Sequence, residues 1–421
     1  MRVFAVLFLL IASSLAAEER ALCAVEPHDQ FCPHYPADQT AFVRTHDYML
    51  MSPTVQEPFD LFAWQAFLAL NWPEGGARPG DAPEAARAWD SFPRRAELFG
   101  ADAARAACGA PEGRLLIDGT RQADGHQLID REGNFVVYDT RVNWVVADYI
   151  RANALDTLAG QMAFAGDVSF PMGEVGGQHP SILLKLAWRI VAEPDASALM
   201  RDATVFVPAR DTLNGEAMCL DVAVALSGFH IVTRTSSGNG DDWIWTTFEH
   251  VRNAPTAANA RSPNSIYAPE LFPGGCMAPE QAEGFAFFDP ERSPEANEPA
   301  RAALWAAATP LARDQSGAPV TPPQVVRCWD RFAGTQVVNA HFQEALAGTI
   351  WANYMLINAQ WRGTLPSPLA GQGEVPRYSS NITMETFFQD QLDASCLGCH
   401  STALTADGRD ANFTFILSHA Q

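Results

Sequence analysis

No apolar run in the mature part of the chain approaches the roughly 20 residues needed to span the hydrocarbon core of a bilayer, so a membrane-spanning helix is not expected. No unit recurs with a period of 20 to 50 residues, which argues against solenoids and propellers. Positive charge is scarce: 28 Lys and Arg face 49 Asp and Glu, for a formal net charge of −21. Nucleic acid and anionic membrane surfaces would be repelled by that charge. A basic protein would be drawn to it. Charged residues make up only 18% of the chain against 48% apolar, which is the balance of a chain with a large buried core rather than a disordered one.

Residues 1–17 carry the marks of a secretory signal: Arg2, an apolar stretch from Val3 to Ala12, and the small-residue site Ser14-Leu15-Ala16-Ala17. The apolar stretch is too short to span a membrane, so a soluble periplasmic protein is expected after cleavage. About four hundred residues then remain, enough for more than one ordinary domain.

Eight cysteines in an exported chain need an accounting. Cys23, Cys32, Cys108, Cys219, Cys276 and Cys328 form an even set that an oxidising compartment would pair as structural disulfides. Their spacing matches no common zinc pattern. Cys23 with Cys32 is a plausible local pair, and the other connectivities stay open. The remaining two fall in Cys396-Leu397-Gly398-Cys399-His400, which spells C-x-x-C-H, the attachment sequence for c-type haem. The spacing suits that chemistry. Two thiols must reach the vinyl groups on one edge of a porphyrin, and the next residue presents an imidazole to the iron. A zinc site would need further ligands, and a redox dithiol of the thioredoxin kind would need a βαβ setting; neither is visible nearby.

Along the chain, Phe59–Leu70 is apolar on every face and stops at Asn71-Trp72-Pro73, predicting a short, fully buried helix. Strands are predicted at Phe135–Tyr138, Ile182–Val191, Val222–Thr235 and Trp243–His250, the last two joined as a long hairpin by a turn-forming segment. Helices are predicted over Val142–Leu158, near Arg301–Ala307, and from Gly334 to Gln360, with residues 253–323 otherwise loop-like. Pro366–Pro376 reads as a linker, and Thr383 as the N-cap of a helix that leads into the haem motif. The expected class is α+β, a mainly antiparallel sheet with flanking helices and a helical C-terminal haem c segment. Residues 18–375 form the body and 376–421 the attachment segment, which is too short to enclose a porphyrin alone. The body is therefore expected to form part of the haem pocket.

None of the 21 residues after His400 is a methionine, which excludes the arrangement of small electron carriers with a downstream Met ligand. The candidates for the iron position opposite His400 are Met384, His419, His230, His250, His341 and Met355. Met384 precedes Cys396 by 12 residues, about 18 Å along an unbroken helix, so it would need a bend. His230 and His250 flank the predicted hairpin at a similar level and could face a pocket together. Phe387, Phe388, Phe413 and Phe415 read as packing residues near the ring edge or in the core.

Several segments together, Phe62–Phe67 with Asn71-Trp72-Pro73, Gly228–Ile231, Trp243–His250, Tyr354–Trp361 and Met384–Phe387 ahead of CLGCH, resemble a group of bacterial cytochrome c family proteins of about this length with one haem motif near the C-terminus. That resemblance implies covalent binding of one haem c through Cys396, Cys399 and His400 and a redox function, and it supplies no distal ligand. Electron transfer to a soluble redox partner protein is the leading expectation. A haem-dependent oxidoreductase, peroxidase- or oxygenase-like with an open distal iron site and His230, His250 or Glu249 as acid or base, is the alternative. Expression with export and haem-attachment machinery is expected to yield a chain cleaved after Ala17 and heavier by one porphyrin, as read by intact mass.

Overall fold

The computed structural model describes residues 32–36, 56–100, 106, 108, 109, 113–173, 179–237, 240–263, 275–292, 295–365, 371–389 and 394–421. The expected signal segment and Cys23 lie outside these. In chain order the elements are α1 (Glu57–Leu70), α2 (Arg95–Phe99), β1 (Leu115–Ile117), β2 (Val136–Val142), α3 (Trp144–Ala152), α4 (Leu158–Ala163), β3 (Ser181–Val191), β4 (Met200–Val207), β5 (Met218–Ser237), β6 (Gly240–His250), β7 (Thr256–Arg261), β8 (Leu304–Trp305), β9 (Ala312–Arg313), β10 (Arg327–Trp329), α5 (Ala333–Ala345), β11 (Tyr354–Leu365), β12 (Gly371–Val375) and α6 (Cys396–His400). The class is α+β with a mainly antiparallel sheet.

Eight strands form that sheet. Its order runs β1-β4-β5-β6-β11-β12, with β3 along the other edge of β5 and β2 beyond β3. Only β1 with β4 is parallel within it. The long β5 is shared: Met218–Ala225 pairs with β4 and Gly228–Ser237 with β6. No helix among the described residues is long and apolar enough to cross a membrane.

Side chains alternate between the two faces of a strand, and both faces of this sheet are buried. On the first face, Leu184, Leu186, Phe229, Ile231, Phe248 and Leu356 pack under α1 and α5 in the largest apolar cluster. All fourteen residues of α1 are buried, as expected for a helix that is apolar all round. Trp64 stacks on Phe342 at 4.8 Å between ring centres and donates from its indole N–H to Asn339 Oδ1 at 3.0 Å. Asn71 caps the helix end, its amide donating to Phe67 O at 2.9 Å.

Several expectations change. Helix α3 ends at Ala152, where Asn153 caps it and Ala154 turns left-handed with φ +52°. Residues 301–307 form no helix: Leu304–Trp305 pairs with Ala312–Arg313, and Trp305 stacks on Phe135 at 4.0 Å. Burying a tryptophan outweighs the helix propensity of an alanine-rich run. The helix expected from Gly334 to Gln360 stops at Ala345. Gly348 follows with φ +84°, and Tyr354 onward is the strand β11 between β6 and β12. Of the expected linker, Gly371–Val375 pairs with β11, and 366–370 lie outside the described residues.

Disulfides join Cys108 to Cys219 and Cys276 to Cys328, and Cys32 is disulfide-bonded as well. The first ties a loop to β5 and the second a loop to β10, across 111 and 52 residues of sequence, and each restricts the unfolded ensemble by closing a large loop.

Within α1, burial lifts the Asp60 carboxyl to about 7 although Gln56 and Thr335 both donate to it, at 2.9 and 2.6 Å. The folded chain keeps this proton where the unfolded chain, at about 3.9, releases it. The group's contribution to stability is therefore complete below about pH 4 and is lost as pH rises toward about 7. Asp60→Asn is expected to flatten the stability profile across that window, read as urea midpoints at several pH values; an unchanged slope would exclude Asp60 as its source.

Candidate functional site

The second face of the sheet is where the C-terminal segment lies. Here Lys185 of β3, His230 of β5, Thr247 of β6 and Asn358 of β11 stand side by side in one cross-strand row. The row above it holds Leu183, Val232, Trp245 and Gln360, and the row below Ala187, Gly228 and Glu249. Residues 378–389 and 394–421 cover these rows.

Hydrogen bonds fix the cover in place. Glu249, fully buried, holds Arg327 through Oε2 at 2.7 Å and accepts the Ile382 N–H through Oε1 at 2.7 Å. Both its oxygens are committed, so Glu249 anchors the segment. Gln122 exchanges bonds with Thr386, donating at 2.6 Å and accepting its N–H at 3.2 Å. Gly228 allows the closest approach: a Cβ there would sit 2.0 Å from Thr383 Oγ1. Thr383 is not the N-cap expected from sequence. The turn opens two residues earlier, at Asn381, whose Oδ1 accepts the Met384 N–H at 3.2 Å. No helix runs on from there; a short 3-10 turn at Thr386–Phe388 is followed by residues 390–393 outside the description.

Ser395 caps α6, accepting the Gly398 N–H at 3.0 Å. Leu397 is fully buried among Trp245, Val232 and Leu183, and its N–H donates to Gln360 Oε1 at 2.8 Å. Gln360, with no exposed surface, donates in turn to Pro376 O at 2.6 Å. One buried amide thus ties the start of α6 to the sheet. With Leu397 turned inward, Cys396 and His400 are half-buried and Cys399 is exposed. Among the described residues, Cys396 and Cys399 are the cysteines that form no disulfide.

His400 lies against the indole of Trp245 at 4.3 Å and the ring of Phe415 at 5.0 Å. Its Nδ1 is 3.0 Å from Phe413 O. A carbonyl can only accept, so Nδ1 carries the proton and Nε2 is left with its lone pair. The carbonyl reaches that position because Asn412 and Phe413 both adopt left-handed backbone, φ +51° and +66°, a costly conformation for a non-glycine residue. The tail beyond is clamped by Gln161 of α4, which donates to Leu417 O and accepts the Ala406 N–H, each at 2.8 Å, and by Arg409, which bonds Phe164 O at 2.9 Å.

Burial lowers the His400 imidazole to about 4, with Lys185 adding to that and the Phe413 carbonyl opposing it. His230 is lowered to about 3, by burial first and then by Lys185 and His400. Burial pushes the Cys396 thiol well up, with Glu385 and Cys399 adding to it. A dithiol built for exchange needs a depressed thiol, and Cys396 is the opposite.

The distal candidates fall in different places. Met384 is fully buried with Tyr138, Ile382 and Phe387. His419 is exposed, its Nε2 3.4 Å from Arg95. Met355 Sδ meets the Arg331 guanidinium. His341 stands on α5, edge-on to Phe342, on the far side of the sheet. The expectation that His230 and His250 face a pocket together is overturned. His230 pairs in register with Thr247, three positions before His250, so strand alternation sends the two imidazoles to opposite faces. His250 is held by Ser197 O at 3.1 Å and the Arg252 N–H at 3.2 Å.

Sequence reasoning missed Gln360, Asn358, Lys185 and Asn381. Asn358 and Gln360 stand two residues apart in a run that is otherwise largely apolar, and Lys185 is the chain's single lysine, set among apolar neighbours. Among the described residues, no three His, Cys, Asp or Glu side chains converge as they would around a bare metal ion. No family model, curated protein or solved structure matches this chain.

Replacing Gln360 by Ala leaves the Leu397 N–H and the Pro376 carbonyl buried without partners, at about 1–3 kcal/mol each. Faster amide exchange at Leu397 and along α6 is expected, with exchange in α1 unchanged; equal rates at Leu397 would remove Gln360 as the anchor.

Proposed function

We propose that this chain is an exported, periplasmic mono-haem c-type cytochrome of the group it resembles, which passes electrons to a basic partner protein. The observation that carries the reading is α6 itself. It presents two cysteines, three residues apart and outside any disulfide, in a chain whose other described cysteines are disulfide-bonded, next to an imidazole whose Nδ1–H is already satisfied. The donor set fits a haem held by two thioethers and one axial histidine. The Nδ1–H···O=C bond is what orients a histidine ligand and raises its basicity. The buried amide of Asn358, with neither its N nor its O bonded among the described residues, is a further polar group free for a bound cofactor.

A covalently held haem supplies a one-electron couple at its iron. The rest falls to the chain. Cys396 and Cys399 would form the two thioethers; burial raises the Cys396 thiol. His400 presents Nε2, kept neutral by burial and aimed by Phe413 O, with Trp245 and Phe415 restricting the ring. Gln360 and Leu397 hold α6 against the sheet, which would limit movement of the imidazole with a haem in place. The exposed Cys399 side of α6 meets solvent, where a partner can approach, and the −21 formal charge steers a cationic one.

Protein matured in a periplasm with haem-attachment machinery is expected to show a pyridine haemochrome of the two-thioether type and to retain its haem in denaturing gels. Cys396→Ser with Cys399→Ser is expected to abolish covalent haem, and His400→Ala to retain it with an altered spectrum. Wild-type protein free of covalent haem under these conditions would overturn the reading.

A further inference from the structure

Among the described residues, His230 is the histidine that the strands present on the second face of the sheet, and its surroundings mirror those of His400. Asn381 fixes the tautomer. Its Oδ1 accepts the backbone N–H of Met384, so its Nδ2 must be the atom turned toward His230 Nε2 at 2.5 Å and toward Glu385 Oε2 at 3.0 Å. An amide N–H can only donate. His230 Nε2 is therefore unprotonated, and Nδ1 carries the proton toward Thr247 Oγ1 at 3.3 Å. Both imidazoles thus have Nδ1–H satisfied by an oxygen and a lone pair on Nε2, the tautomer a histidine needs to bind a metal.

Register places both imidazoles beside Trp245. Thr247 lies directly across from His230, and Trp245, two residues before Thr247 on the same face, carries the His400 ring against its indole. His230 and Trp245 are diagonal neighbours across the strand pair, about 7–8 Å apart. The other candidates are placed elsewhere: Met384 is buried beside Tyr138 and Phe387, Met355 meets Arg331, His419 lies beside Arg95, and His250 faces the other side of the sheet. Lys185, on the opposite side of His230, has its ammonium 3.8 Å from Glu385.

Resting on the proposed haem attachment at α6, we infer that His230 is the second axial ligand, so that the iron is held by His400 on one side and His230 on the other. The lone pair that accepts from Asn381 is the one His230 would offer. Thr247 Oγ1 would keep its ring oriented, and the Asn381 amide, now 2.5 Å from that nitrogen, would have to move off it for the iron to be reached. Six-coordination by two neutral imidazoles favours electron transfer over chemistry at an open iron position.

The test uses periplasmically matured full-length protein, with optical and electron paramagnetic resonance spectra of wild type, His230→Gly and His230→Met. Wild type is expected to be low-spin with a bis-histidine signature and indifferent to carbon monoxide when reduced. His230→Gly is expected to be high-spin, to bind carbon monoxide, and to return to the wild-type spectrum on addition of imidazole, which also shows that the fold survives. His230→Met is expected to raise the midpoint potential. A high-spin wild type, or a His230→Gly protein that stays low-spin with its haem covalently attached, would overturn the assignment of His230 alone. Absence of covalent haem in the wild type would overturn the attachment reading and this inference with it.

Discussion

A sheet buried on both faces has to satisfy whatever polar side chains it carries, and here one face carries a full row of them. Lys185, His230, Thr247 and Asn358 cross four strands on the side away from α1. A buried polar group left without a partner costs about 1–3 kcal/mol, and several in one row would cost as much as the whole molecule can spare. The C-terminal segment meets most of that demand. Asn381 takes His230, Glu385 takes Lys185, and Glu249 and Gln360 each receive a backbone N–H from the cover. Hydrogen bonds therefore decide where the segment sits along the strands, while apolar packing of Leu397, Ile382 and Met384 decides how closely it sits.

The same demand shapes the candidate site. Leu397 faces inward because Gln360 holds its N–H, and that rotation alone leaves Cys399 at the surface and His400 half-buried against Trp245. The two left-handed residues before Thr414 swing a carbonyl onto His400 Nδ1, a strained arrangement that the clamp from Gln161 and Arg409 sustains. Gly228 lies at the centre of this contact, since any side chain there would meet Thr383. The glycine before Phe229 and His230 is thus explained by the approach of a segment some 150 residues later in the chain.

The wrongly expected elements share a cause. Residues 334–360 look continuously helical because Ala-, Gln- and Asn-containing stretches fit a 3.6 period as well as any other. Yet β11 completes the sheet between β6 and β12, and the long-range pairing of Tyr354–Gln360 with Trp245–His250 outweighs local preference. Leu304–Trp305 is a strand for a similar reason, with Trp305 buried against Phe135. Where propensity and tertiary burial agreed, as in α1 and the β5–β6 hairpin, the expectation and the structure coincide.

The order of residues by itself determined what is chemically local: the C-x-x-C-H spacing, the all-round apolar α1 closed by Asn71, the turn between β5 and β6, and the even set of remaining cysteines. Each rests on neighbours within a few positions, so no fold is needed to see it. Only the tertiary structure decided that His230 and His250 face opposite sides, that Gln360 anchors α6, and that Phe413 and Asn381 set the tautomers of His400 and His230. Strand register, which turns every side chain over with a one-residue slip, and a hydrogen bond between residues 37 apart are properties of the packed chain. No local pattern encodes them.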